Sequence, residues 1–203
     1  MSISSLSATQ IAGLSVTAIQ GLSTTTISQL AATQVAAISE TGIAALSNTQ
    51  VSALSTTQMR ALTTTQIPNF SSDVTLSSAQ LLALSAPQLG VFTTTQVANF
   101  NTTAIGNFAS SQIVALSAAN ISALDATQAA ALKTTQISAL TTTQAAGLSA
   151  TDIEEFAATQ VGAFTATQIA RLTTDALNAL DTTQVAALKT TQVAALTTDQ
   201  IVA

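Results

Sequence analysis

The chain has 203 residues, a net charge of −5, only 6% charged side chains, and no Cys, His, Trp or Tyr. That inventory removes disulfide frameworks, thiolate metal sites, thiol nucleophiles, and the commonest general base and metal ligand. Four cations cannot supply the basic stripe that nucleic-acid phosphates require, and no run of about 20 apolar residues is free of Ser, Thr or Gln to span a bilayer.

Disorder is the next class to set aside. Disordered chains are poor in aliphatic residues and rich in charge or Pro, whereas this one places hydrophobics at fixed spacing and contains two prolines. The start, Met1-Ser2-Ile3-Ser4-Ser5, has neither a basic segment nor an apolar stretch, so no cleavable signal peptide is read there.

In chain order, a large apolar residue recurs every eight positions from Leu6 through Leu14, Leu22, Leu30, Ile38, Leu46, Leu54 and Leu62 to Phe70. The next anchor is Leu76, six residues on, and the spacing of eight then resumes through Phe92, Phe100, Leu116, Phe156 and Leu188 to Leu196. The expected organisation is an octapeptide array over 1–70, a register slip over 71–75, and a second array over 76–203, together one continuous solenoid. Pro68 lies just before the slip and Ser71-Ser72-Asp73 reads as a turn, so residues 68–76 are expected to form a kink or joint.

Counting each anchor as position one, position six holds a second apolar residue, as at Ile19, Val51, Ile121 and Val193. Spacing that alternates five and three fits no continuous element. Along one α-helix eight residues advance about 800°, so successive anchors would wind around the axis. Along one strand positions one and six would face opposite sides.

A broken helix fits. Position two is commonly Ser, Thr, Asp or Asn, and Gln follows three residues later, as in Ser47-x-x-Gln50 and Asp181-x-x-Gln184. This is the capping box, and the flanking Leu and Ile/Val supply its hydrophobic staple. Most acidic residues fall near the expected helix starts, while Arg60 and Arg171 fall near the ends, as a helix dipole favours. Lys133, Lys189 and Glu154-Glu155 go against that sorting. A helix of about six residues cannot stand alone. The fold expected is therefore all-α: a solenoid of very short helices, one per octad, forming an elongated rod or superhelix. Its core residues include Leu14, Ile19, Leu46, Val51, Leu116, Ile121, Leu188 and Val193, with Ala and Gly at positions seven and eight allowing close helix approach. The number of octads per turn cannot be read from the spacing.

No constellation supports catalysis, a cofactor or a metal. Glu154 and Glu155, beside Asp152, read as a solvated helix end, and Ser or Thr nucleophiles lack a base. The Phe clusters read as thicker core. Asn48, Asn69, Asn101 and Asn120 receive no role. Position four is mostly Thr, and stacking would set these hydroxyls in ranks. Thr9, Thr17, Thr25 and Thr33, with Thr127, Thr135, Thr143 and Thr151, are the candidate face. They either add a second hydrogen bond at each helix start or present a hydroxyl-methyl surface to ice or a polysaccharide.

Two resemblances arise from the octads. Leu196-Thr197-Thr198-Asp199-Gln200-Ile201-Val202-Ala203 resembles the first helix of a TAL-effector repeat, but the second helix and base-reading loop are missing, so DNA binding does not carry over. The whole chain resembles the octapeptide tracts of large bacterial secreted and surface proteins, which implies an extracellular or cell-surface location and a structural role. No capping repeat is seen at either end, so either the chain is a slice of a longer array or its open ends stack on other copies. The leading expectation is a non-enzymatic structural protein that forms or extends a fibre by end-to-end self-association. Surface recognition by the threonine ranks is the alternative.

Overall fold

The computed structural model describes residues 3–202. Among these residues the chain forms 23 α-helices and two 3-10 turns, with no strand. Outside the slip, an octad makes one short helix for the reason its sequence gives. In the helix Asn48–Ser52, Ser47 is extended (φ −71°, ψ 161°) and begins the turn. The Gln50 backbone N–H donates to Ser47 Oγ at 3.2 Å, while the Ser47 N–H donates to Gln50 Oε1 at 2.9 Å. Both are donors that a helix start otherwise leaves orphaned. The next anchor closes the helix, with the Leu54 N–H donating to the Val51 carbonyl at 3.0 Å.

Where the cap side chain cannot accept, only half of this pattern survives. At Ala31, Lys133 and Lys189 the cap N–H still donates to the Gln oxygen, at 2.7 Å in all three. Glutamine is therefore the more persistent half of the capping box.

Within each unit, helices on the regular register pack on the third helix after them. Ala32–Ala36 stacks on Thr56–Ala61, Ala118–Ser122 on Thr142–Ala146, and Ala150–Glu155 on Thr174–Asn178. Three octads thus make one coil, which gives three helical faces and three corners. The chain divides into two compact units, Met1–Ala104 and Ile105–Ala203, and the same construction is found within each.

Position-six side chains fill the interior: Ile19, Ile43, Val51, Ile113, Ile137 and Ile153 are buried. Position-one residues such as Leu46, Leu116 and Leu140 seal the corners beside them. Fully burying one such side chain contributes about 1.5–3 kcal/mol, which a five-residue helix needs from its neighbours. The phenylalanines do thicken the core. Phe92 and Phe100 meet edge-to-face at 5.0 Å, and Phe156 and Phe164 at 5.8 Å. Small residues at positions seven and eight do allow close approach: a Cβ on Gly162 would lie 2.9 Å from the Ala187 carbonyl oxygen in the next coil.

Of the expected core residues, Ile19, Leu46, Val51, Leu116 and Ile121 are buried. Leu14 and Leu188 are half-buried, and Val193 is 49% exposed, which corrects its assignment to the core. All three belong to the outermost coils described, which have a described coil on one side only.

The slip lies inside the first unit and leaves the stacking intact. The helix Thr56–Ala61 still packs on Ser78–Ala83 across it. Pro68 limits its octad to the 3-10 turn Ile67–Asn69, and the following side has no helix at all. A turn closed from the Val74 N–H to the Ser71 carbonyl at 3.0 Å buries Val74 in place of a helical side chain.

The bond that locks one coil to the previous one is also made by the glutamine. Gln144 Nε2 donates to the Ile113 and Leu116 carbonyls at 2.9 and 2.7 Å, while its oxygen caps its own helix. Replacing Gln144 by Ala should destabilise the second unit by about 2–3 kcal/mol, since it removes three hydrogen bonds and leaves buried backbone groups unpaired. Urea denaturation followed by circular dichroism measures this loss. Amide hydrogen exchange should rise first at Ala115–Ser117 and at Thr141.

Candidate functional site

The surface with repeated chemistry is the set of corners where the glutamine side chains sit. In the first unit Gln50 Nε2 reaches the Ile19 and Leu22 carbonyls, 31 and 28 residues back, at 2.9 and 2.8 Å. Gln58 and Gln66 repeat the pattern, as do Gln136, Gln160, Gln168, Gln184, Gln192 and Gln200 in the second unit. Across the slip the offsets fall together to 29 and 26 residues, as at Gln80, Gln88 and Gln96. The short side is thus absorbed within a single coil.

Three asparagines tend that short side. Asn48 Oδ1 accepts from the Thr75 N–H at 3.0 Å, and Asn99 Nδ2 donates to the Ser72 carbonyl at 2.6 Å. Asn101 Nδ2 donates to the Leu76 carbonyl at 3.2 Å and its oxygen accepts from Ser78 Oγ at 2.6 Å. Asn69 Nδ2 caps the Thr65 carbonyl at 2.7 Å, and Asn120 is buried at a glutamine position. Sequence reasoning gave Asn48, Asn69, Asn101 and Asn120 no role. Only Asn69 lies beside Pro68 in sequence; Asn48 and Asn101 reach the slip only through the stacking of coils.

The threonines at position four are exposed, but not as a single face. Consecutive octads turn to different sides, so the run Thr9, Thr17, Thr25 and Thr33 divides among three. Thr9 shares a side with Thr33, and in the second unit Thr127 with Thr151, Thr135 with Thr159 and Thr183, and Thr143 with Thr167 and Thr191. Several of these hydroxyls serve the helix start. Thr49, Thr65 and Thr167 lie 2.9, 3.0 and 3.0 Å from the hydroxyls of their caps Ser47, Thr63 and Thr165.

Three octads per coil also sort the charges laterally, which the linear spacing hides. In the second unit, helices Ala126–Ala130, Ala150–Glu155, Thr174–Asn178 and Thr198–Val202 stack into one side. That side carries Asp125, Asp152, Glu154, Glu155, Asp175 and Asp199, while Lys133, Arg171, Lys189 and one acidic residue, Asp181, belong to the others. Asp152 stands at a glutamine position and keeps only the accepting half of the pattern. It accepts from the Ser149 N–H at 2.7 Å and from Ser122 Oγ of the preceding coil at 2.6 Å. Glu154 is exposed, as expected of a solvated helix end.

Among the described residues no three acidic side chains converge to hold a metal ion, and no helix is long and apolar enough to cross a membrane. A shallow depression of about 480 Å³ brings Thr134, Thr159 and Lys189 to a floor of Ala158, Gly162, Ala163 and Ala187.

Short capped helices, three to a coil and joined by amide-to-carbonyl bonds, define a helical solenoid built from octapeptides. The chain belongs to the ALTTAQ repeat family, whose model matches residues 35–72, 105–142 and 174–203, just over half of the sequence. Ala139-Leu140-Thr141-Thr142-Thr143-Gln144 departs from that hexapeptide only by Thr143, and it carries the cap and the clamp described above. No curated protein and no solved structure matches the chain.

The acidic side carries one electrostatic consequence. The Glu155 carboxyl is held above its ordinary value of 4.5, first by desolvation and then by the charges of Asp152 and Asp125. The folded chain holds this proton more tightly than the unfolded chain. Stability from this group is therefore fully present below 4.5 and is lost as pH rises through the raised value. Urea titrations of wild type and Glu155→Gln should show the variant gaining relative stability as pH rises above 4.5, and a constant difference would contradict this assignment.

Proposed function

We propose that this is a non-enzymatic structural repeat protein that extends by coil-on-coil contact, with a second copy supplying the next coil. The observation that carries the reading is the surface of the last described coil. Val185, Val193 and Ile201 occupy position six, whose counterparts inside the units are buried, yet they are 52%, 49% and 68% exposed. In a longer chain a further coil of the same kind would cover them. Such a coil can come from the same chain or from a second copy, and the proposal assigns it to a second copy.

The first coil of the first unit offers apolar groups of the same kind. Leu6, Leu14 and Leu22, the anchors of the first coil, are half-buried, whereas Leu30, Leu46 and Leu54 further in are buried. A contact that joins unlike ends is heterologous and propagates into an open filament unless its rotation closes a ring. Low charge and many hydroxyls suit lateral packing of such filaments, and an extracellular or cell-surface location in bacteria belongs to this proposal. Sedimentation and negative-stain electron microscopy over a range of concentrations should show end-to-end oligomers. Val193→Lys, which places a charge on an exposed position without touching the core, should keep the chain monomeric. Equal assembly of the two proteins would exclude this surface.

A second reading is favoured by the exposure of the position-four threonines. The rank Thr135, Thr159 and Thr183 sets hydroxyl and methyl groups along three successive coils, a pattern suited to an ordered surface such as ice or a polysaccharide. Changing all three to Lys should abolish adsorption to such a surface and leave self-association unchanged. Undiminished adsorption would remove this rank from the reading.

A further inference from the structure

Two corners of the second unit are built alike and differ at one telling residue. Gly106, Ala131 and Lys133 recur 56 residues on as Gly162, Ala187 and Lys189. At both, the glycine admits the next coil: a Cβ on Gly106 would lie 3.0 Å from the Ala131 carbonyl oxygen, and one on Gly162 2.9 Å from that of Ala187. At the first corner Lys133 Nζ donates to Asn107 Oδ1 at 3.3 Å. Ala163 stands where Asn107 does, and among the described residues Lys189 Nζ has no hydrogen-bond or ion-pair partner.

Lys189 also does little for its own helix. It opens Thr190–Val193, where a cation opposes the helix dipole and the side chain gives the cap no hydrogen bond. What it does line is the depression, with Thr134 and Thr159 beside it and Ala163 and Ala187 in the floor. Coils pack on both edges of that floor, since Ala158–Val161 contacts Thr134–Ala139 before it and Thr182–Ala186 after it. The depression is therefore lateral, and it stays open whatever coils precede or follow.

A complementary group lies on another side of the same unit, the acidic one. There Asp125 caps the Gln128 N–H, and Asp152 is buried between Ser149 and Ser122. Glu154 is exposed, makes no hydrogen bond among the described residues, and has the longest stem of the exposed acids on that side. We propose that the depression takes the Glu154 carboxylate of a second copy, so that two chains pack side by side. Lys189 supplies the countercharge, the Thr134 and Thr159 hydroxyls donate to the carboxylate oxygens, and the small floor leaves room for the incoming side chain. Acidic side against acidic side repels, and depression against depression sets Lys189 against Lys189. The contact therefore joins unlike sides, and a pair of chains still offers one side of each kind to further neighbours. It goes beyond the coil-on-coil contact and does not require it.

One exposed ion pair changes an equilibrium constant by less than about fivefold, so contact between single chains is brief and a covalent trap is the way to read it. A zero-length carbodiimide joins a carboxylate to an amine only where the two touch, and Lys133 and Lys189 are the only lysines of the chain. The sample is a mixture of heavy-isotope-labelled and unlabelled 203-residue chains. Mass spectrometry should find position 154 joined to 189 in mixed-isotope pairs, at least about threefold more than to 133, with the yield falling as salt rises. Exchanging the charges, Glu154→Lys with Lys189→Glu, should keep the link. Ala163→Asn, which gives Lys189 the partner that Lys133 has, should lower it about threefold, and Asn107 shows that such a corner accommodates the residue. Equal coupling of Glu154 to both lysines, links confined to single-isotope chains, or loss of the link on charge exchange would overturn the proposal. So would coupling of Lys189 solely to added polygalacturonate, which would assign the depression to an acidic polymer. None of these outcomes bears on end-to-end assembly or its loss in Val193→Lys, so the coil-on-coil reading stands or falls separately.

Discussion

One side chain holds this fold together. A helix of four to six residues has almost as many orphaned backbone groups at its ends as bonds within it. Such an element persists only if those groups are answered from outside. The glutamine at position five answers on both sides of a corner, its oxygen taking the N–H of its own cap and its nitrogen giving to two carbonyls of the coil beneath, as Gln144 shows. Three such bonds per octad replace the helical ladder that the short helix cannot extend. Hydrophobic burial at positions one and six supplies the attraction, and the amides fix the coil-to-coil register.

The clamp explains why substitutions fall where they do. Cap residues vary freely among Ser, Thr, Asp, Ala and Lys because the cap N–H is satisfied by glutamine in any case, as at Ala31 and Lys133. The glutamine itself varies less freely, and Asp152 is informative. It retains the acceptor but has no amide to give downward, and Ser122, in a position usually held by Ala, reverses the bond by donating upward. Donor and acceptor have exchanged coils at that corner, and the contact between Ala118–Ser122 and the following coil is kept in another form.

The octad, its capped helix and the all-α solenoid were legible because each rests on local chemistry repeated in one register. The second role of glutamine was not, since an amide that caps its own helix gives no sign of where its nitrogen points. The number of octads per coil was also hidden. Every octad is nearly the same, so the spacing holds no difference between the first, second and third side. That single unknown propagated: it made Thr9, Thr17, Thr25 and Thr33 look like one row, and it concealed the gathering of Asp125, Asp152, Glu155 and Asp175 on one side. Val193 was misplaced for a different reason, because burial at position six depends on a coil that follows, and no residue within its own octad reports that.

The slip shows how far this construction tolerates error. Removing two residues from one side would shift every later octad off its partner if the register ran through the helices. It does not, because the coil closes through corners, and a corner needs only its amide and two carbonyls in reach. Gln80, Gln88 and Gln96 each find their acceptors two residues nearer in sequence and form the usual bonds. After them Gln136 is again at 31 and 28 residues. The cost falls on the side without a helix, whose bare backbone is met by Asn48 from the coil before and Asn99 and Asn101 from the coil after. Asparagine suits that task because its amide, like that of glutamine, can both accept and donate. Where a helical side fails, the same chemistry on a shorter stem takes over, and stacking continues because an amide still bridges one coil to the next.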